Sequence, residues 1–201
     1  MKRDAKKDLI ADTALSCFLA SGYSGTSVDN IVKASGVSKG GIYWHFKSKE
    51  EIFLYLVGKW LDENKRALED RLSQDEPATA KLGKFVDLTV ERARSPVLSL
   101  INEFVMAVRD ESVLNHLREM VDRCSEENIV ADVINKGIEG GEFKPLDARA
   151  AAEIFVTMFH GLVMRWHFKH EDISLLRRVA THFSCLAVVF TYALWAFALS
   201  T

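Results

Sequence analysis

Between residues 26 and 46 the chain has room for two short helices and one abrupt turn, and for little else. The run TSVDNIVKASGVSKGGIYWHF opens on hydroxyls suited to a helix start. Thr26 with Asp29 makes a capping box, in which hydroxyl and carboxylate each take up an orphan amide. Val28, Ile31 and Val32 then recur on one helical face. Gly36 follows, where the chain must turn sharply and a residue without Cβ is favoured. Ser38 caps a third helix of roughly two turns, ending at Phe46. Only Ile42 and Phe46, four apart, can form its inner face. Lys39, Gly40, Tyr43 and Trp44 are therefore expected to point outward.

Gly40 and Gly41 each weaken that helix by roughly 1 kcal/mol relative to alanine. The loss makes sense if the backbone must come close to another surface. Lys39, Tyr43 and His45 carry donors that reach phosphates. The rings and the bare backbone can meet base edges or thymine methyls in a major groove. Ser48 with Glu51 reads as a second capping box, opening a long helix to about Leu72. Lys49 in its first turn adds a cation to free amides, a grip for phosphate. The competing reading is a packed corner between helices, because aromatic rings fill cores as well as interfaces.

Charge favours the nucleic-acid reading. Residues 1–50 hold eight Lys/Arg against five Asp/Glu, and the remainder holds eighteen against twenty-three, in a chain whose net charge is −2. The first fifty residues are the part suited to face an anion. Ile10, Ala14, Cys17 and Phe18 predict an amphipathic helix over 4–21, stopped at Gly22. With it, the two short helices form a three-helix helix-turn-helix unit.

No stretch alternates β-branched residues, so the whole chain is expected to be all-α. Prolines at 77, 96 and 145 divide the remainder into helical blocks near 77–94, 97–110, 112–122, 124–139, 147–169 and 172–198. Two domains follow: 1–47 as the helix-turn-helix DNA-binding domain and 48–201 as a helical ligand-binding and dimerisation domain, linked by helix 48–72. The start MKRDAKKDLIADTA lacks a hydrophobic signal core, which leads to the expectation of a cytoplasmic protein. Cys17, Cys124 and Cys185 form no CxxC pair and are read as buried free thiols. No nucleophile elbow, phosphate loop, HExxH or dinucleotide fingerprint is present, so no enzyme activity and no cofactor are expected. His160, His167 and His170 lack a cysteine or carboxylate at ligand spacing, so no metal is expected either.

Residues 26–52 closely resemble the DNA-binding signature of the tetracycline-repressor (TetR) family of one-component bacterial regulators. The matching positions are Thr26, Ile31, Ala34-Ser35-Gly36-Val37-Ser38, Gly40, Ile42-Tyr43, His45-Phe46, Lys49 and Ile52. GGEFKPLDARAAAEIF with a following HGLV is similar to the family's lead-in to its penultimate helix. The resemblance implies nine or so helices, a homodimer through the last two, a ligand cavity in the C-terminal domain, and repression relieved by a small molecule. Carried over by position, phosphate contacts fall on Thr26, Ser38, Tyr43, His45 and Lys49, and groove contacts on Lys39, Gly40, Gly41 and Trp44. Lys2 and Arg3 could add contacts as a flexible basic arm.

Helix 147–169 carries apolar residues on more than one side and is expected to be buried all round. The seventeen residues 183–199 carry no charge. As a helix they would span about 26 Å, short of the roughly 30 Å of a bilayer's hydrocarbon. They read as a dimer seam or a dimer-covered core, with Leu162, Leu186, Val189, Phe190 and Leu194 as interface candidates. The alternatives are a membrane- or partner-docked regulator using this tail, or a helical enzyme with a dispersed site. For an effector pocket the candidates are Trp60, Phe85, Phe104 and Met106, with Met158, Phe159, His160 and Trp166. They are mostly apolar and aromatic, which favours a hydrophobic or aromatic small molecule, although plain core is the commoner fate of such residues.

Overall fold

The computed structural model describes residues 2–169, and these hold nine helices and no strand. α1 (Lys2–Gly25) begins at Lys2, so Lys2 and Arg3 belong to a helix and not to an extended arm. It kinks at Gly22, whose φ of 73° and ψ of 167° lie where residues with a Cβ are strained. α2 (Val28–Ser35) and α3 (Lys39–His45) follow, then the long α4 (Lys49–Leu72). α5 (Ala78–Ala93), α6 (Pro96–Ala107), α7 (Glu111–Arg123), α8 (Glu127–Glu139) and α9 (Ala148–Lys169) complete the described chain. The proline punctuation holds: Pro77 sits at the cap of α5 and Pro96 at the first position of α6. Helix 172–198, and the dimer candidates Leu186, Val189, Phe190 and Leu194 on it, lie outside the described residues, as do His170 and Cys185.

The chain groups into two compact units. The first contains residues up to Asn64 together with 95–124, and so includes α6 and α7 beside the three N-terminal helices. Its interior is one aromatic-rich core. Phe53 stacks on Phe104 at 4.5 Å between ring centroids, and Tyr23 meets Phe104 edge-on at 4.9 Å. Phe18, Ile31, Ile42, Phe46 and Ile52 join the same cluster, so every helix of the N-terminal trio is anchored in it.

The second unit contains residues 65–94 and those from Ser125 onward. Here α9 buries Ala152, Val156, Phe159 and Val163, one stripe at helical spacing. Ile154 is 51% exposed in the single chain, so the described residues cover only one face of α9. Phe85 packs with Phe155 and Phe159 at centroid distances of 5.5 and 6.4 Å. At the end of α8, Gly137 is required by packing: a Cβ there would lie 2.4 Å from the Phe143 ring. Arg92, partly buried beside Glu126, pairs with its carboxylate, and His160 Nε2 lies 3.5 Å from the other oxygen. Burial works to raise the Glu126 carboxyl, but the bond to His160 and the Arg92 charge outweigh it and hold the group below the usual carboxylate value.

Candidate nucleic-acid interface

The local chemistry of the helix-turn-helix follows the expected plan with one shift of register. Ser27, not Thr26, caps α2. Its hydroxyl accepts from Asn30 N at 3.2 Å while Asn30 Oδ1 accepts from Ser27 N at 2.8 Å, a complete capping box one residue later than expected. α2 ends at Gly36 in the left-handed region, φ 67°, where its N–H donates to Val32 O. Ser38 caps α3 by accepting from Gly41 N at 3.2 Å. At α4, Ser48 Oγ accepts from Glu51 N, but the Glu51 carboxylate reaches back to Lys47 N and not to Ser48 N.

α3 is divided as its spacing required. Ile42 and Phe46 are buried. Tyr43 and Trp44 are 47% and 63% exposed, an unusual state for rings this large. Trp44 meets His45 edge-on at 4.7 Å, which holds the two rings as a unit. Lys39 is exposed and pairs with Asp29 of α2 at 2.9 Å. Exposed pairs of this kind are weak, so the ammonium can exchange Asp29 for another anion. The two glycines differ. A Cβ on Gly41 would meet Val37 Cγ1 at 3.0 Å and Ser38 Oγ at 3.1 Å, an internal reason for glycine. A Cβ on Gly40 would meet nothing within 4 Å. Packing among the described residues does not call for glycine at 40.

Two expected contacts are placed differently. Thr26 is 2% exposed, and its hydroxyl donates to Gly22 O at 2.8 Å, turned away from any external phosphate. Lys49 Nζ donates to Tyr23 O at 2.9 Å and Thr26 O at 3.0 Å and lies 4.1 Å from the Tyr23 ring centre. Its ammonium faces the α1–α2 turn. Sequence reasoning also missed Tyr23, Glu50 and Glu103, which meet at that turn. Tyr23 donates its hydroxyl to Glu50 Oε1 at 3.0 Å and its N–H to Glu103 Oε2 at 2.8 Å. The first had a faint signal, a tyrosine directly after a helix-stopping glycine; Glu103, eighty residues away, had none.

The effector candidates are divided between the two units. Trp60, Phe104 and Met106 belong to the first unit, and Phe85, Met158, Phe159, His160 and Trp166 to the second. Phe104 is a fully buried core ring of its unit, and Met106 is 76% exposed. Phe85 and Phe159 are fully buried, Met158 and Trp166 are partly buried, and His160 is exposed. Leu162, the one interface candidate within the described residues, is partly buried. Cys17 and Cys124 are free thiols, partly rather than fully buried. Among the described residues no helix is long and apolar enough to cross a membrane, and no group of three or more metal-ligating side chains occurs.

A short helix that hides two apolar side chains, shows a tyrosine–tryptophan pair and follows a glycine turn is the reading helix of a helix-turn-helix. The chain is a DNA-binding transcriptional regulator. Its residues 10–56 match the bacterial regulatory proteins of the tetR family, and residues 57–187 match the C-terminal region of QacR-like proteins. The protein belongs to the tetR family. Among its relatives, AcrR of Shigella flexneri is 30% identical over 191 residues, covering 88% of this chain and 85% of that one. QacR of Staphylococcus aureus is 28% identical over 185 residues, covering 88% and 95%. The fold is shared with FadR of Bacillus subtilis, solved in complex with stearoyl-CoA, at a TM-score of 0.70 and 23% identity over 90% of this chain and 96% of that one. These relatives are transcriptional regulators, and neither the enzyme nor the membrane-docked alternative gains support from them.

Proposed function

We propose that the protein is a homodimeric, ligand-responsive repressor of the cytoplasm that leaves a palindromic operator when a small, mostly apolar effector binds. Residues 1–47 read the DNA, and 48–201 bind the effector and the second subunit. The observation that carries the DNA-reading half is the division of α3, with Ile42 buried, Tyr43 and Trp44 exposed, and open space at Gly40. Lys39, Gly40, Gly41 and Trp44 meet base edges or the groove floor. Ser38, Tyr43 and His45 donate to phosphates. The Ser38 hydroxyl accepts from Gly41 N, which leaves its own proton free to donate outward.

The effector is received by the second unit, whose apolar interior includes Phe85, Phe159 and Met158. Support for an apolar ligand comes from this composition and from FadR, whose bound stearoyl-CoA carries a long acyl chain. Response to the effector requires only that it bind one spacing of the paired reading helices better than the other. Two such helices enter successive major grooves when about 34 Å apart. α4, with residues up to Asn64 in the first unit and the rest in the second, is the continuous helix through which that spacing would change.

Selection of DNA from a random pool by the purified protein tests this reading. A palindrome with half-sites one helical turn apart, or a multiple of it, is expected. Trp44→Ala should reorder the protein's preferences among variants of the selected site. An unchanged ranking would assign Trp44 to packing, and failure to enrich any sequence at low salt would overturn the reading.

A further inference from the structure

We propose that Lys49 is a positioning residue of the DNA reader and not a phosphate contact. With Glu50 and Glu103 it clamps the α1–α2 turn, so that α2 and α3 are presented at one fixed angle. The proposal rests on α3 being the reading helix. Its physical basis is the accounting of backbone groups at the turn. Where α1 breaks at Gly22, the amide and carbonyls of the next few residues lose their helical partners and must find others.

The structure supplies these partners from two sides. Lys49, at the first turn of α4, takes the carbonyls of Tyr23 and Thr26 at 2.9 and 3.0 Å, and its charge lies 4.1 Å from the centre of the Tyr23 ring. Glu103 of α6 takes the Tyr23 amide at 2.8 Å. Its carboxylate fills the space a side chain at residue 22 would need: a Cβ on Gly22 would lie 2.8 Å from Glu103 Oε2. Between them, Tyr23 is 2% exposed, its ring against Phe18, Phe53 and Phe104 and its hydroxyl on Glu50. Thr26 closes the turn from within, by donating to Gly22 O. The next residue, Ser27, caps α2, so fixing the turn fixes the start of the helix-turn-helix.

Each ammonium has three donors, and two of Lys49's are engaged with carbonyls inside the turn. Partial burial pushes the amine below its usual value, while Glu50 works against that. Lys47 of the same segment is exposed and is the better candidate for phosphate.

The experiment separates position from charge. Lys49→Met keeps the stem against Tyr23 and removes the donors; Lys49→Arg keeps the charge and misplaces the donors. If Lys49 positions the turn, both variants weaken operator binding by about tenfold, the order expected for losing charge-assisted hydrogen bonds. The slope of log affinity against log salt stays at the parent value. In the DNA-free protein the amides of residues 23–28 then exchange with solvent faster. Glu103→Gln, a neutral isostere far from any phosphate, should speed exchange of the same amides. If Lys49 instead grips a phosphate, Lys49→Met lowers the salt slope by about 0.9. Lys49→Arg would then bind as the parent does, and exchange would not change; that result overturns the proposal, as does parental affinity in both variants. Should Lys49→Met not fold, the arginine variant alone decides between the two roles. Because exchange is read without DNA, a failure of the clamp is distinguishable from a failure of α3 to read DNA, which Trp44→Ala reports.

Discussion

Gly40 is the most informative single position in the protein. A glycine inside a helix weakens the structure by about 0.5–1 kcal/mol relative to alanine. Here a methyl group would meet nothing. Gly40→Ala should therefore raise the unfolding free energy by up to about 1 kcal/mol in urea titration while weakening operator binding. A variant both more stable and equally tight on DNA would remove the close backbone approach from the proposed interface. Gly41→Ala differs, since its Cβ presses on Val37 and on the capping Ser38 Oγ. It should gain no stability and should loosen the cap, which Ser38→Ala would cost about 1 kcal/mol to remove outright.

Among the helices, α5 and α9 meet at the cap of α8, where the largely buried Arg92–Glu126 pair lies beside the exposed His160 and has a pH behaviour that can be worked out. The folded value of Glu126 is held below its unfolded one. Its contribution is therefore complete above the unfolded value of about 4.3 and is lost as pH falls through the folded value. Glu126→Gln leaves the Arg92 charge buried without its counterion, which at neutral pH should lower stability by roughly 3 kcal/mol. Denaturation at a series of pH values checks this: the gap between variant and parent should begin to narrow as pH falls below the unfolded value, where the unfolded chain's carboxylate takes up a proton, and should finish narrowing as pH passes the lower folded value. A gap constant down to pH 3 would show that the pair adds nothing beyond the packing of Glu126.

For the assembled protein, the expectations concern association and effector binding. Leu194→Glu, in the uncharged run 183–199, should give monomers in analytical ultracentrifugation and abolish operator binding, because a single subunit cannot fill two half-sites. A dimeric variant would place the seam elsewhere. Thermal-shift screening with apolar and aromatic compounds should find ligands that raise the melting point. At a hundred times its dissociation constant an effector adds about 2.7 kcal/mol, several degrees for a chain of this length. The same compounds should release operator DNA; a ligand that stabilised the protein and tightened DNA binding would reverse the proposed response.

The residues alone specified the helices, the glycine turn and the outward face of α3, because these depend on neighbours three or four positions apart. Ile42 and Phe46 could share only one side, and Ser38 could cap only what followed it. The capping box of α2 slipped by one, since Thr26 and Ser27 offer the same hydroxyl, and only the fold turned Thr26 inward to Gly22 O. The role of Lys49 was hidden for a stronger reason. Its partners, Tyr23 and Thr26, lie more than twenty positions away, and Glu103, which completes the turn, lies eighty from Tyr23. Whether a lysine faces solvent or two stranded carbonyls depends on where α1 breaks and how α4 and α6 pack on the break. Side-chain charge is written in the chain; the direction in which it points is set by contacts between segments that the chain holds far apart.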